Sequence, residues 1–379
     1  MKSLICDVIE QNPNNWEQEL SELNIKIKKC SDLPYAIFNY DINADFSNPV
    51  VQEARGIIID IEKLEVVCWP FRKFGNYTEF YADEIDWTTA HVQEKVDGSI
   101  IKLWYSDRLN DWVWSTNSCI FASEANTQNG RSFMSIIKST SDYQYLQHVQ
   151  QVNVSRNHRF FLLNRLFTYI FELVSPDNQV VLKYPEARLY HLGTRNNLTG
   201  EEISNSIGIQ RPKEYPLHSL SDCEKAVENL NTDTFPDAEG FVVVDANWHR
   251  IKIKSPEYLI WHHKVNNGII NAETAYELLK SDDFDWDVFR KNASDYMLER
   301  LEHYNKLFIE VNAAIIALIH KARDLQAKGL SRKEIALQIK SSPYSFYGFK
   351  GLDYTQSPED LINSLGVKAF IKVVERNEQ

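Results

Sequence analysis

Residues 91–117 read HVQEKVDGSIIKLWYSDRLNDWVWSTN, and a strand-like run is broken there by Lys95-Val96-Asp97-Gly98-Ser99. A lysine at the mouth of a hairpin can act as a nucleophile if its amine is kept neutral. The plainer reading is a turn, because Asp-Gly is ordinary turn chemistry. A lone Lys-x-Asp-Gly falls by chance in about one chain in ten of this length, so the neighbouring signals decide. Upstream, EARGIIID sets Arg55-Gly56 before an apolar strand, and PFRKFGNYTE puts Arg72 and Lys73 beside Phe74. Downstream, FELVSP carries Glu172 inside an apolar strand, AEGFVVV opens on Glu239-Gly240, and RIKIKS holds Lys252 and Lys254. Strand residues two apart share a face, so Lys252 and Lys254 project together, away from Ile251 and Ile253. By the same rule Glu172 sides with Ile170 and Val174, against Phe171 and Leu173. A carboxylate in so apolar a run needs a metal, a cation or a ribose hydroxyl as partner. Each signal has a bland counterpart: a solvated strand face, a buried salt bridge, a turn, a surface arginine. Their occurrence together, in this order, favours one common cause over separate coincidences.

The elements that must position these residues are legible. Up to about residue 256, β-branched and aromatic runs bounded by turn chemistry dominate. ARGIIIDIEKLEVVCWPF predicts a hairpin around Glu62-Lys63, and SIIKLWYSDRLNDWVWST another turning near Arg108 to Asp111. GFVVVDANWHRIKIKS predicts a third at Asp245-Ala246-Asn247, while FTYIFELV, VVLKY and ARLYHLGTR read as strands, and Phe133 to Lys138 as helical. Residues 1–256 are therefore expected to form a largely antiparallel α+β domain. From 257 to 379 the pattern is all-helical. Leu301, Tyr304, Phe308, Val311, Ile315, Leu318, Ala322 and Leu325 form one apolar stripe. Gly329 is a stop, Ser331 and Glu334 a capping box, and Ser357-Pro358 a start that Gly366 can end. SPYSFYGFKGLDY reads as a loop, where substrate contacts tend to sit.

Bulk properties narrow the class. The net charge of -12 and pI near 5.4 argue against coating duplex DNA through bulk charge, while leaving room for a local basic groove. The 43% hydrophobic and 25% charged content is ordinary globular usage. Cys6, Cys30, Cys68, Cys119 and Cys223 form no Cys-x-x-Cys, so a reducing, cytoplasmic setting is expected (host cytoplasm if phage- or virus-encoded). MKSLICDVIEQNPNN turns polar too soon for a signal peptide, and no run reaches membrane-spanning length.

The ordered landmarks Lys95-x-Asp97-Gly98, Ser115-Thr116-Asn117, Phe171-Glu172, Glu239-Gly240 and Lys252-x-Lys254 resemble the covalent nucleotidyltransferase superfamily of ATP-dependent RNA and DNA ligases and mRNA capping enzymes. Within it the chain is most similar to the phage T4 RNA ligase 1 family. The pointers are ARGIII and RKFGN upstream of the lysine, KIKSPEY at the end, and helices after it. By motif the resemblance covers about residues 50 to 260. It implies an adenylyltransferase domain followed by a helical domain that influences RNA choice, with ATP and Mg²⁺ or Mn²⁺ as cofactors. Lys95 would attack the α-phosphorus of ATP, giving lysyl-AMP. Lys252 and Lys254 would help lower its pKa and share the catalytic work. Arg55 and Lys73 would clamp the β and γ phosphates, Glu172 would hold the ribose, and Glu239 the metal. Glu94, Asp97, Gly98, Phe74 and Asn117 would complete the nucleotide site. AMP would pass to an RNA 5′-phosphate, and a 3′-hydroxyl would seal the strand. ATP over GTP follows from the resemblance alone, since no residue here is seen to read the base.

The chain departs from the pattern in two places. The family's middle motif usually carries a basic residue where Asn117 stands, and a second aromatic often follows Lys-Phe where this chain has Gly75. Tyr258 matches a family tyrosine, or is simply a core aromatic. In the helical part, Lys321, Arg323, Lys328, Arg332, Lys333, Lys340 and Lys350 precede or interleave with Tyr344, Phe346, Tyr347 and Phe349. Such mixing suits folded or single-stranded RNA, with tRNA as the implied substrate, or else a solvated face beside a core-packed aromatic segment. A polynucleotide kinase-phosphatase that prepares RNA ends is a natural partner. The alternatives are a DNA ligase or other nucleotidyltransferase of the superfamily, or a catalytically silent RNA- or nucleotide-binding relative. Helices rather than an OB-fold after Lys-x-Lys speak against DNA ligases and capping enzymes.

Overall fold

The computed structural model describes residues 2–152, 163–228, 230, 238–265, 269–281, 284, 286–353, 357–364 and 367–378. The chain divides into two compact units, Met1–His263 and Lys264–Gln379. The first is α+β. Helices α1 (Leu4–Gln11), α2 (Trp16–Glu22) and α3 (Pro49–Glu53) accompany a four-stranded sheet in the order β1 (Ile25–Lys29), β2 (Tyr35–Tyr40), β3 (Arg55–Asp60), β4 (Glu65–Cys68).

Two further sheets carry most of the candidate residues. One contains β6 (Ser99–Ser106), β7 (Asp111–Thr116), β8 (Phe167–Val174), β9 (Arg188–Asn196) and β10 (Glu202–Ile203), in the order β10-β9-β8-β6-β7. The other contains β5 (His91–Glu94), β11 (Glu214–Tyr215), β12 (Gly240–Val244) and β13 (Arg250–Lys254), in the order β11-β5-β12-β13. All strand pairs in the three sheets are antiparallel. The strand period then sorts the side chains. Ile101, Leu103, Trp114, Phe171 and Leu173 bury one face of the larger sheet against Ile136 and Ile137 of helix α4 (Phe133–Ser139), which precedes α5 (Ser141–Val152). Val92, Phe241, Val243, Ile251 and Ile253 bury one face of the other against Cys223 and Val227 of α6 (Leu220–Glu228). Glu172, Lys252 and Lys254 alternate with these residues and so occupy the opposite faces, as the sequence predicts.

The expected hairpins at β3–β4, β6–β7 and β12–β13 are present. VVLKY is not a strand. The amides of Val181 and Leu182 donate to the Asp97 carboxylate, at 2.9 and 2.7 Å. A side chain thus takes the donors that a ladder would have used, and β-branched composition gives no warning of it.

Helix α7 (Pro256–Lys264) follows β13. The second unit is helical: α8 (Ala272–Lys280), α9 (Trp286–Asn292), α10 (Asp295–Ala327), α11 (Arg332–Ile339), α12 (Ser345–Gly351), α13 (Pro358–Ser364) and α14 (Val367–Glu378). The α10 stripe buries Leu301, Tyr304, Val311, Ile315 and Ala322. Gly329, at φ 83°, follows its cap, and Ser331 with Glu334 forms the expected capping box on α11. Ser357 accepts from the Asp360 amide at 3.1 Å, while Gly366 lies outside the described residues. The segment expected as a loop, SPYSFYGFKG, instead contains α12. Tyr347 is fully buried, and Gly348 and Gly351 let α12 lie close on Leu318 and Ile319 of α10. Arg323 is tied to the Gly351 carbonyl and Arg332 to Asp353, whereas Lys321, Lys328, Lys333, Lys340 and Lys350 are exposed. Among the described residues no helix is long and apolar enough to cross a membrane.

Tyr347 and its neighbour Phe346, 53% exposed, separate the helix from the loop reading. Tyr347→Ala is expected to cost about 3 kcal/mol of stability, and Phe346→Ala within about 0.5 kcal/mol. Urea unfolding of the two variants measures the difference.

Candidate active site

The third sheet brings three charges together at one end. Glu239 immediately precedes β12, Lys95 follows β5, and Lys254 ends β13, so neighbouring strands deliver all three. Glu239 is buried. Its Oε2 accepts from Lys95 Nζ at 2.8 Å and its Oε1 lies 2.9 Å from Lys254 Nζ. The backbone fixes the same corner, where Lys95 N–H donates to the Gly240 carbonyl at 2.8 Å. Gly240 sits at φ 136°, and a Cβ there would come within 2.1 Å of the Ile253 carbonyl oxygen. Only glycine lets β12 begin so close to β13.

A cavity of about 630 Å³ opens beside this corner. Lys95, Glu172, Lys252 and Lys254 line it, with Arg55 and Phe74 at their side. Glu94, Gly98 and Asn117 line it too. Phe74 lies between two cations, 5.2 Å from Arg55 Cζ and 4.8 Å from Lys252 Nζ by ring centroid. The RKFGN segment reaches this position because it is strapped to β13. Lys252 N–H donates to the Gly75 carbonyl, and Tyr77 N–H to the Lys252 carbonyl, both at 3.0 Å. Lys73 does not line the cavity; its ammonium is packed among Tyr40, Phe46 and Tyr81, at 5.5, 4.8 and 5.9 Å.

Asp97 stands behind the wall and is fully engaged. Oδ2 accepts from Val181 and Leu182, Oδ1 from the Tyr258 hydroxyl at 2.7 Å, and the Asp97 amide donates to Tyr184 Oη at 3.1 Å. Its geometry is that of an anchor for the Lys95 turn. Tyr258 is 1% exposed, so the core and family readings of that residue coincide. Sequence reasoning missed the partners Val181, Leu182 and Tyr184. Nothing in their spacing marks them, because they act largely through backbone amides. Asn117 follows β7; its carbonyl accepts from Asn39 Nδ2 at 2.6 Å, and its buried Oδ1 has no hydrogen-bond partner among the described residues.

Residues 53–258, more than half the chain, match a family model described as RNA ligase, of the T4 RNA ligase 1 type. The chain belongs to the T4-type RNA ligase family. A protein described as a candidate bifunctional polynucleotide kinase/RNA ligase of Autographa californica nuclear polyhedrosis virus is 30% identical over 262 residues, covering 64% of this chain and 35% of that protein. The chain thus spans about a third of that relative's length. An RNA ligase of Rhodothermus phage RM378 is 22% identical over an alignment of 409 positions, covering 90% of each. Among solved structures, form 2 of an archaeal ATP-dependent RNA ligase is 12% identical, with a TM-score of 0.47 over 81% of this chain and 82% of that one.

In this site the electrostatics differ from the sequence expectation at one point. Lys95 is not lowered in pKa. Burial disfavours its charge, but Glu239, then Glu172 and Asp97, outweigh that and hold the ammonium above its ordinary range. Lys252 is the lysine pushed down, to about 6, by burial and then by Arg55, Lys73, Lys95 and Lys254. Burial raises Glu172 to about 7, against the pull of Lys95. Burial and the Glu239 charge raise Asp97. Burial also opposes the Glu239 charge, but Lys95 and Lys254 prevail and keep its carboxyl below the usual range.

Among the described residues no three or more His, Cys, Asp or Glu side chains gather to hold a metal unaided. One or two carboxylates beside a bound polyphosphate are the usual protein share of a Mg²⁺ site; Glu239 stands off the cavity wall with both oxygens engaged by Lys95 and Lys254, while Glu94 and Glu172 line the cavity.

Lys252 is mostly neutral near pH 7.5, and a polyanion beside it favours the ammonium. Pyrophosphate binding is therefore expected to take up about one proton. Isothermal titration in two buffers of different ionisation enthalpy measures that uptake, and Lys252→Met is expected to remove most of it.

Proposed function

We propose that this ligase joins RNA 5′-phosphate and 3′-hydroxyl ends with ATP, through AMP carried covalently on Lys95. The observation that carries the reading is the Lys95 amine on the cavity wall beside Lys252, Lys254 and Arg55, with Glu239 at 2.8 Å. In the first step Lys95 Nζ, as the free amine, attacks the α-phosphorus. A P–N bond forms, the bond to the bridging oxygen breaks, pyrophosphate leaves, and the nitrogen gives up one proton to solvent. Cations placed around a transferring phosphoryl group supply most of the catalysis in such reactions. Lys252, Lys254 and Arg55 fill that part, and Lys73 stands behind Arg55 as a further positive charge. Mg²⁺ or Mn²⁺, held by the phosphates with Glu239 as the protein ligand, would supply positive charge there. Lys95 gains its nucleophilic form once the Glu239 charge is matched by groups other than the lysine, and Lys254 already bonds its other oxygen.

In the second step an RNA 5′-phosphate oxygen attacks the phosphoramidate phosphorus, the P–N bond breaks, and Lys95 leaves as the protonated amine. In the third the 3′-hydroxyl attacks the activated 5′-phosphorus, loses its proton and displaces AMP. Glu172, buried yet on the cavity wall, is suited to a ribose hydroxyl. We assign residues 1–256 to adenylyl transfer and 257–379 to RNA choice, with tRNA as the substrate class. The exposed lysines of α10 to α12 support that assignment. The baculovirus relative's described pairing of kinase and ligase supports a partner that supplies 5′-phosphate ends.

Incubation of AMP-free protein with α-³²P-ATP and Mg²⁺, without RNA, is expected to leave label on the denatured wild type. Lys95→Ala is expected to lower that label by at least about a hundredfold. No label on the wild type would overturn the reading. Supplied next with a 5′-phosphorylated RNA carrying a 3′-hydroxyl, the labelled enzyme is expected to release AMP and yield a joined strand. A fragment of residues 1–263 is expected to label but to join RNA poorly.

A further inference from the structure

Lys102 is 0% exposed, among the largest fully buried side chains in the molecule, and it plays no part in the steps above. It lies mid-strand on β6, between Ser115 of β7 and Ile170 of β8. A fully buried lysine ordinarily has a carboxylate partner. Among the described residues none lies within ion-pair range of Lys102, whose Nζ donates only to the Gly56 carbonyl, at 2.5 Å.

The location gives this charge a use. Gly56 follows Arg55 at the start of β3, and a Cβ built on it would lie 2.7 Å from both Lys102 Nζ and the Asn117 carbonyl oxygen. Arg55 and Asn117 both line the cavity. The ammonium therefore sits directly beneath the floor, at the end where Arg55 and Lys252 flank Phe74. The charged and titratable groups that act on it are Arg55 from β3, Cys68 from β4 and Cys119 after β7. Neither β7 nor β8 sets a carboxylate against it. An isolated cation in a low-dielectric site projects its field further than an exposed one, and here the near side is the cationic end of the cavity. Burial lowers its pKa, but only to about 8, so it is largely charged at neutral pH.

We propose that Lys102 is a positioning residue for the nucleotide phosphates. It holds the Gly56 carbonyl, and with it Arg55 and Asn117, and it adds from below a positive charge that no protein carboxylate cancels. The inference rests on the reading that ATP occupies this cavity.

The test compares affinities of the full-length protein for ATP and for adenosine at pH 7 by isothermal titration. Lys102→Gln keeps a donor for Gly56 but removes the charge. It is expected to weaken ATP about tenfold while leaving adenosine within about twofold. Lys102→Met removes both donor and charge and is expected to weaken ATP further. Asn117→Lys added to Lys102→Gln returns a cation to the same floor and is expected to restore ATP affinity at least threefold. Equal loss of ATP and adenosine in Lys102→Gln, unchanged ATP affinity, or no rescue by Asn117→Lys would each overturn the proposal. Should Lys102→Met fail to fold, the Gln variant and its rescue still decide it. Wild-type protein that binds no ATP would instead overturn the reading of the cavity, which separates the two failures.

Discussion

The buried carboxylate of Glu239 is the constraint around which the site is built. An unpaired carboxylate there would cost several kcal/mol, and two lysines from flanking strands prevent that. Because β5, β12 and β13 are neighbours, satisfying Glu239 fixes the end of each strand relative to the others. Lys95 is held at the cavity wall by the same pair. The arrangement is local to strand ends, where backbone irregularity is tolerated, and it requires glycine at position 240. Asp97 anchors the following turn from the other side, through amides of the 181–182 segment and through Tyr258 on α7. Lys95 therefore sits between two carboxylates with separate duties, one bonded to its amine and one bonded to the scaffold.

At the other end of the cavity the problem is reversed. Arg55 and Lys252 converge with little carboxylate to offset them, an arrangement that destabilises the protein alone and favours an arriving polyanion. Packing keeps the cations in place. Phe74 separates Arg55 from Lys252 and attracts both through its ring face, and the strap of residues 75–77 onto β13 holds Phe74 there. The depressed pKa of Lys252 reflects burial first and then this convergence of charge. A site that binds phosphate strongly needs such uncompensated charge, so the fold around it has to be rigid.

Much of this was legible in the sequence because strand periodicity is unforgiving. Once Ile251 and Ile253 are core residues, Lys252 and Lys254 have only one face left, and Glu172 follows in the same way from Phe171 and Leu173. The hairpins, the α10 stripe and the Ser331 capping box are also local patterns, and local patterns survive folding. What the sequence hid was long-range and backbone-borne. VVLKY has strand composition, yet its amides serve Asp97, a residue far upstream. SPYSFYGFKG has loop composition, yet its glycines make room for a helix on α10. Nothing in the SIIKLWYS run marks Lys102 as buried, and only the folded sheet shows that no solvent reaches it. The pKa expectation for Lys95 failed for a related reason. Counting nearby lysines along the chain predicts a lowered amine, while the folded structure sets Glu239 closer than any of them.

The raised pKa of Lys95 is at odds with a role in attack only if the reaction is a single step. On the proposed mechanism the lysine is a nucleophile once and a leaving group once, and the two roles make opposite demands. Attack needs the free amine, and departure from the phosphoramidate needs a proton on the same nitrogen. A site that permanently depressed the lysine would help the first event and hinder the second. Glu239 favours the protonated nitrogen whenever its own charge is not matched elsewhere, and Lys254 on its other oxygen keeps it ionised and in place. On that mechanism a cation that matched the Glu239 charge would favour attack, and its departure with pyrophosphate would favour release. A carboxylate shared between two lysines is therefore better suited to a covalent intermediate that must both form and be given up than a lysine surrounded only by cations.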